Sequence, residues 1–281
     1  MNVPTTTDAL TAAEAAAYLT RLGVAAPEAP TLGALASLHR AHLMTVPFEN
    51  LDIMLGRAIR LDRASLVAKL VDARRGGYCY ELNGLFASLL RSLGYAVDLV
   101  SARVALPGGG LTAEFDHVAL VVTSPDLSEP VLADVGFGDA FVEPLPLRDG
   151  FERDERGKGV GLVRRDETWV YRERADGGPW QDQFVFTTTP HALADFEPRN
   201  EWQQSSPESH FTRGRVASRL TPTGRVTVSG QRLITTTHGR REESELADDT
   251  AVEAALADQI GLVLSWSQSH ASFVRRHRQN G

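Results

Sequence analysis

The sequence holds a single cysteine, Cys79, inside Arg74-Arg75-Gly76-Gly77-Tyr78-Cys79-Tyr80-Glu81-Leu82-Asn83-Gly84. A Gly-Gly turn precedes it and an apolar run follows (Leu82, Leu85, Phe86, Leu89, Leu90, Leu93), which predicts a thiol at the first turn of an amphipathic helix. Free backbone N–H groups and the positive end of the helix dipole gather there and favour a thiolate. An unpaired cysteine alone is ordinarily a small buried hydrophobe, so a nucleophile needs a base and a group to orient that base. His117, heading the apolar run Val118-Ala119-Leu120-Val121-Val122, is the candidate base. Asp134, inside Leu132-Ala133-Asp134-Val135, is costly to bury unless paired, and an imidazole on a neighbouring strand would pair it. Taken singly, these are a core thiol and a core histidine. Taken together, they are a nucleophile, its base and the base's orienter, the set that moves acyl groups through a thioester.

The other histidines show no metal-ligand spacing backed by carboxylates, and His39 and His42 read as a pair on a helix surface. Pro107-Gly108-Gly109-Gly110 lacks the Lys-Ser/Thr of a phosphate-binding loop and reads as a hairpin loop. With 281 residues and 42% hydrophobic content the chain can bury a large core. A net charge of -7 argues against a general nucleic-acid partner. One cysteine excludes an intramolecular disulfide, and no C-x-x-C pair suggests structural zinc. No run approaches the roughly 18 apolar residues of a membrane span, and residues 1–10 lack a signal peptide's basic head and apolar middle. The expectation is a cytoplasmic protein with no membrane partner and no metal.

The elements that must position the three residues follow from periodicity. Thr11 to Glu14 is a capping box opening a helix that Gly23 stops. A second helix is expected from Leu32 to Met44 with Leu35, Leu38 and Leu43 inward, a third from Asp62 to Ala73, and the cysteine helix ends near Gly94. After Tyr95 the period becomes two: strands are expected at Val97–Leu106, His117–Thr123, Val131–Val135, Glu167–Arg174 and Gln183–Thr188. A Ser/Pro-rich connection follows from Asn200, then a hairpin (Arg215–Leu220, Arg225–Thr237), a helix from Asp249 to Ile260 and a last helix over Ser265–Arg278. These elements read as α+β, a helical first third followed by an antiparallel sheet or barrel.

Arg75-Gly76-Gly77-Tyr78-Cys79 resembles the nucleophile motif of the arylamine N-acetyltransferases. Val46-Pro47-Phe48-Glu49-Asn50-Leu51, Phe115-Asp116-His117-Val118 and Asp134-Val135-Gly136-Phe137-Gly138 are similar to other landmarks of that family, in the same order. Asn200-Glu201-Trp202, Ser209-His210-Phe211 and Thr237-His238-Gly239-Arg240-Arg241 resemble its C-terminal part. The resemblance implies a division into 1-95 helical and carrying the nucleophile, 96-200 an antiparallel β-barrel carrying His117 and Asp134, and 201-281 an α/β lid, around a cysteine-protease-like Cys-His-Asp core. It implies acetyl transfer from acetyl-CoA to arylamines, hydrazines or N-hydroxyarylamines, with Cys79 as acyl carrier, His117 as base then acid and Asp134 orienting His117. It also implies that Phe48, Phe137 and Phe211 line the acceptor pocket and that Gly138 leaves room for the pantetheine arm. Glu49 and Arg75 match a structural ion pair near the site. Arg213, Arg215, Arg240 and Arg241 are candidates for the CoA phosphates, and the N–H of Cys79 for an oxyanion donor. A macrolactam-forming amide synthase shares this fold and triad; a cysteine hydrolase and a non-catalytic binding module are the remaining alternatives.

Overall fold

The structure is a computed structural model, and it describes residues 9–175 and 177–264. The expected last helix, 265–278, lies outside the described residues. Helix α1 (Ala12–Leu22) opens with the capping box, Thr11 Oγ1 accepting from Glu14 N–H while Glu14 accepts from Thr11 N–H, and closes at Gly23 in the left-handed conformation. Helix α2 (Leu32–Thr45) is capped by Thr31. Its inward face carries Leu35 and Leu38 as expected, but Leu43 is half-buried, and His39 and His42 lie fully inside. The surface reading of that histidine pair is therefore wrong: four residues after Leu35 and four after Leu38, they continue the apolar stripe. Strand β1 (Phe48–Glu49) and helix α3 (Leu51–Met54) follow, then α4 (Arg63–Val67), which continues as a π-helical turn over Ala68–Asp72.

Helix α5 (Cys79–Ser92) is the core of the molecule. The sequence reads it as one-sided, yet Glu81, Asn83 and Gly84 are buried along with the leucines. Helices pack one side of it and a β-sheet the other, so it has no solvent face through most of its length.

The larger sheet contains β2 (Ala96–Val104), β3 (His117–Thr123), β4 (Val131–Ala133), β5 (Leu145–Pro146), β6 (Phe151–Glu155), β7 (Lys158–Arg165), β8 (Thr168–Ala175) and β9 (Gln181–His191), in spatial order β5-β4-β3-β2-β9-β8-β7-β6. Every neighbouring pair is antiparallel, and the sheet coils into a nearly closed barrel. Alternation sorts its side chains: Val118, Leu120 and Val122 of β3 face the helices, while Ala119 and Val121 face the barrel interior with Phe141, Leu162, Tyr171 and Phe184. Strands β6 and β7 fall in a charged stretch, Phe151–Arg165, that carries too little apolar alternation to announce them.

Beyond β9, helices α6 (Glu197–Ser205) and α7 (His210–Arg213) replace the expected connection. A second sheet, in order β1-β10-β11-β12-β13, uses β10 (Val216–Thr221), β11 (Gly224–Ser229), β12 (Arg232–Thr237) and β13 (Arg240–Glu245). The long second strand expected at 225–237 is two strands, reversing at Gly230, whose φ of 60° is left-handed. Helix α8 (Asp249–Ala255), capped by Asp248 and extended by a π-helical turn to Ile260, packs with Leu51 and Leu55 on this sheet. Among the described residues no helix is long and apolar enough to cross a membrane.

Candidate active site

The register of β3 against β4 sets up the first pair. Leu120 faces Ala133 and Val121 faces Leu132, so continuing one step puts Asp134 across from Ala119, with His117 diagonal to it on the same face. There His117 Nε2–H donates to Asp134 Oδ2 at 2.6 Å, and both side chains are buried. Asp134 Oδ1 accepts from Asn83 Nδ2 at 2.8 Å and from Gly136 N–H at 2.9 Å. Burial pushes the Asp134 carboxyl up, but His117, Asn83 and the Gly136 N–H together hold it below the ordinary carboxylate range. It is thus an ionised group satisfied on both oxygens. The His117 ring meets Phe137 and Phe184 edge-on or tilted, at centroid distances of 5.2 and 5.3 Å, which leaves it little rotational freedom.

Asn83 stands one helical turn after Cys79, on the same face of α5. Its amide also donates to Val118 O at 2.6 Å and its carbonyl accepts from Val135 N–H at 2.9 Å, so α5 is bolted to both strands. The i, i+4 spacing from the cysteine is the signal that sequence reasoning passed over. Gly136 completes the fit: a Cβ there would stand 2.8 Å from Cys79 Cα and 2.8 Å from Asn83 Nδ2, so only glycine allows this approach.

Cys79 is 4% exposed. Burial pushes its thiol well above the ordinary range, the Asp116 and Asp134 carboxylates add to that, and the N–H groups of Tyr80 and Val118 on the sulfur oppose it. The helix N-terminus favours the anion but does not suffice for it, as the expected need for a base implies, because burial takes the sulfur away from solvent. The anion needs a cation beside it. Nε2 of His117 is taken by Asp134, which leaves Nδ1 as the ring nitrogen outside that bond.

Cys79 and His117 line one cavity of about 690 Å³ with Phe48, Phe137 and Phe211, so the structure brings the three expected aromatic residues together. Arg213 and Arg215 line it too; Arg215 pairs with Asp249 at 2.5 Å. Gly138 is not among the lining residues: it has a φ of 94°, with the Phe48 ring 3.7 Å from where a Cβ would stand. Arg240 and Arg241 sit on the exposed strand β13, paired with Glu242 and Glu243.

Two supports were not legible. Asp116 is buried beside His117, accepting from Arg199 Nε and Gln203 Nε2 of α6, each at 2.7 Å. The Glu49–Arg75 pair exists, at 2.7 Å, but belongs to a longer buried chain: Arg75 to Asp52 at 3.0 Å, Asp52 to Lys69 at 2.8 Å, Lys69 to Glu81 at 2.7 Å. Glu81 then accepts from Tyr78 N–H at 3.2 Å, which ties the network to the first turn of α5. Among the described residues no group of three or more His, Cys, Asp or Glu could hold a metal ion.

A family model described as N-acetyltransferase matches residues 31–269. The arylamine N-acetyltransferase of Mycolicibacterium smegmatis is 35% identical over 254 residues, covering 88% of this chain and 91% of that protein. The arylamine N-acetyltransferase / N-hydroxyarylamine O-acetyltransferase of Salmonella typhimurium is also 35% identical, covering 88% of both. The structure of Mycobacterium marinum arylamine N-acetyltransferase in complex with CoA superposes with a TM-score of 0.84 at 33% identity, over 91% of this chain and 97% of that one. Proansamycin X synthase of Amycolatopsis mediterranei is more distant, 26% identical over 85% of this chain and 94% of its own.

Proposed function

Because the chain belongs to the arylamine N-acetyltransferase family, we propose that it transfers acetyl from acetyl-CoA to arylamines, hydrazines or N-hydroxyarylamines, with Cys79 carrying the acetyl group between substrates. The carrying observation is the buried His117–Asp134 hydrogen bond in a pair whose imidazole opens on the same cavity as the chain's cysteine. The Cys79 proton passes to His117 Nδ1, and Asp134 stabilises the imidazolium so formed. The thiolate attacks the thioester carbonyl carbon, the bond to the CoA sulfur breaks, and that sulfur takes the proton from His117. In the second half the neutral amine attacks the acetyl-Cys79 carbonyl, its proton goes to His117, and the Cys79 thiol is regenerated with that proton.

Phe48, Phe137 and Phe211 supply apolar walls for an aromatic acceptor. The CoA phosphates require cations, which this acidic chain must present locally. Arg213 and Arg215 line the first cavity; a second cavity of about 510 Å³ presents Arg156, Lys158 and Arg225. The backbone passes from one cavity to the other through Gly138, between Phe137 and Asp139, which supports a pantetheine arm crossing there.

Initial rates over a grid of acetyl-CoA and arylamine test this reading. Parallel double-reciprocal lines are expected for an acyl group resting on the enzyme; intersecting lines contradict it. The likeness to proansamycin X synthase favours one second reading, amide synthesis from another acyl thioester. Turnover of a carrier-protein-bound long acyl thioester in preference to acetyl-CoA would establish that reading instead.

A further inference from the structure

His39 is fully buried, and both of its ring nitrogens are used. Nδ1 lies 2.8 Å from Val142 O, which only accepts, and Nε2 lies 3.0 Å from Asp134 N–H, which only donates. These partners fix the tautomer: Nδ1 carries the proton and Nε2 offers its lone pair. The ring stacks on Phe141 at 5.6 Å and 10°, and meets Phe86 edge-on at 6.1 Å, so its plane is held as well. Asp134 needs such a partner. Strand β4 pairs with β3 only up to Ala133 and with β5 only up to Leu132, so no ladder reaches the Asp134 N–H.

We propose that His39 is a positioning residue for acyl transfer, standing in for the missing strand neighbour of Asp134 and so aiming its carboxylate at His117. The same ring ties Asp134 to Val142, whose own N–H is held by Glu155 at 2.6 Å, so the segment 134–142 that borders both cavities is pinned at its two ends. Desolvation pushes the His39 pKa down to about 4, against the raising effect of Val142 and Asp134, so the ring stays neutral with its acceptor nitrogen open at neutral pH. This inference rests on the triad roles proposed above, but its first readout, alkylation of Cys79, does not require acetyl-CoA.

His39→Phe keeps the ring on Phe141 and removes both hydrogen bonds; His39→Gln keeps one donor and one acceptor. The readout is the pH dependence of Cys79 alkylation by iodoacetamide; the thiol shares its cavity with His117 and feels the Asp116 and Asp134 carboxylates and the N–H groups of Tyr80 and Val118. Loss of the Asp134 anchor weakens the imidazolium that balances the thiolate, so in His39→Phe the alkylation midpoint moves upward. The single-turnover acetylation rate falls on the order of 10²-fold, as for a misplacement of about 1 Å, with the KM for acetyl-CoA little changed. His39→Gln recovers most of both. A folded His39→Phe protein with the wild-type profile and rate overturns the proposal. Should that variant not fold, the wild-type protein still decides: a scalar coupling between the Asp134 amide nitrogen and His39 Nε2 is expected, and its absence overturns it. A wild-type protein that takes no acetyl from acetyl-CoA, while the alkylation midpoint still shifts in the variant, overturns the donor and leaves His39 in place.

Discussion

Asp134 shows how a carboxylate stays charged in a dry site. Three hydrogen bonds, from His117, Asn83 and Gly136, replace the water it has lost. Asn in its place keeps the shape but no longer selects the His117 tautomer or balances an imidazolium. Asp134→Asn is therefore expected to fold and to lose on the order of 10⁴-fold in kcat, the scale known for triads of this kind. Steady-state kinetics with a fixed arylamine measures it; a loss under tenfold contradicts the assigned role. Cys79 stood out in the sequence as the single cysteine, placed where a Gly-Gly turn feeds a helix, and His117 and Asp134 stood out because each is a polar group at or inside an apolar run. His39 and Asn83 escaped for the opposite reason: a histidine or amide on a helix stripe looks the same whether it meets solvent or bonds a strand brought in from far along the chain.

At the scale of elements, the approach of α5 to the 134–138 segment depends on Gly136. Gly136→Ala puts a methyl against Cys79 Cα and Asn83 Nδ2, each 2.8 Å away, so either the Cys79 backbone or the Asn83 amide has to shift. The expected result is a folded protein with an acylation rate down on the order of 10²-fold, read by rapid-quench acetylation. The charge chain from Glu49 to Glu81 anchors the other side of the same helix turn. Removing one partner leaves a buried charge without compensation, at a cost of about 3–5 kcal/mol. Glu49→Gln and Arg75→Met should each lower the urea midpoint more than the double variant does; a double variant that is worse by the sum of both refutes the coupling. Helix boundaries were readable wherever a cap was local, at Thr11, Gly23 and Asp62. Strands β6 and β7 were not, because a hairpin on a barrel rim can pair through its backbone while most of its side chains are charged.

Among the described residues the apolar side chains gather in three clusters: one around α5, one inside the barrel, and one under the second sheet. Strands β2 to β4 contribute one face to the first and the other face to the second, which is how residues from both ends of the first 134 positions meet. Alternation in the sequence announced those strands, but not that helices would cover their outer face. His39, near this junction, also ties stability to pH. Its folded pKa is depressed from 6.5 to about 4, so the unfolded chain binds a proton that the native protein refuses. The stabilisation is complete above pH 6.5 and is lost as pH falls toward 4, by about 3 kcal/mol for this one group. Urea unfolding at pH 7 and pH 5 should show a marked fall for the wild type and a smaller one for His39→Gln; equal falls contradict the assignment.

The central claim is that the sulfur of Cys79 holds the acetyl group between donor and acceptor. Intact-protein mass spectrometry after mixing with acetyl-CoA alone addresses it directly. One acetyl mass is expected, mapped to Cys79 by peptide digestion, released on adding an arylamine and absent in Cys79→Ser. No adduct and no free CoA, in a protein that is folded and competent to turn over, would contradict it.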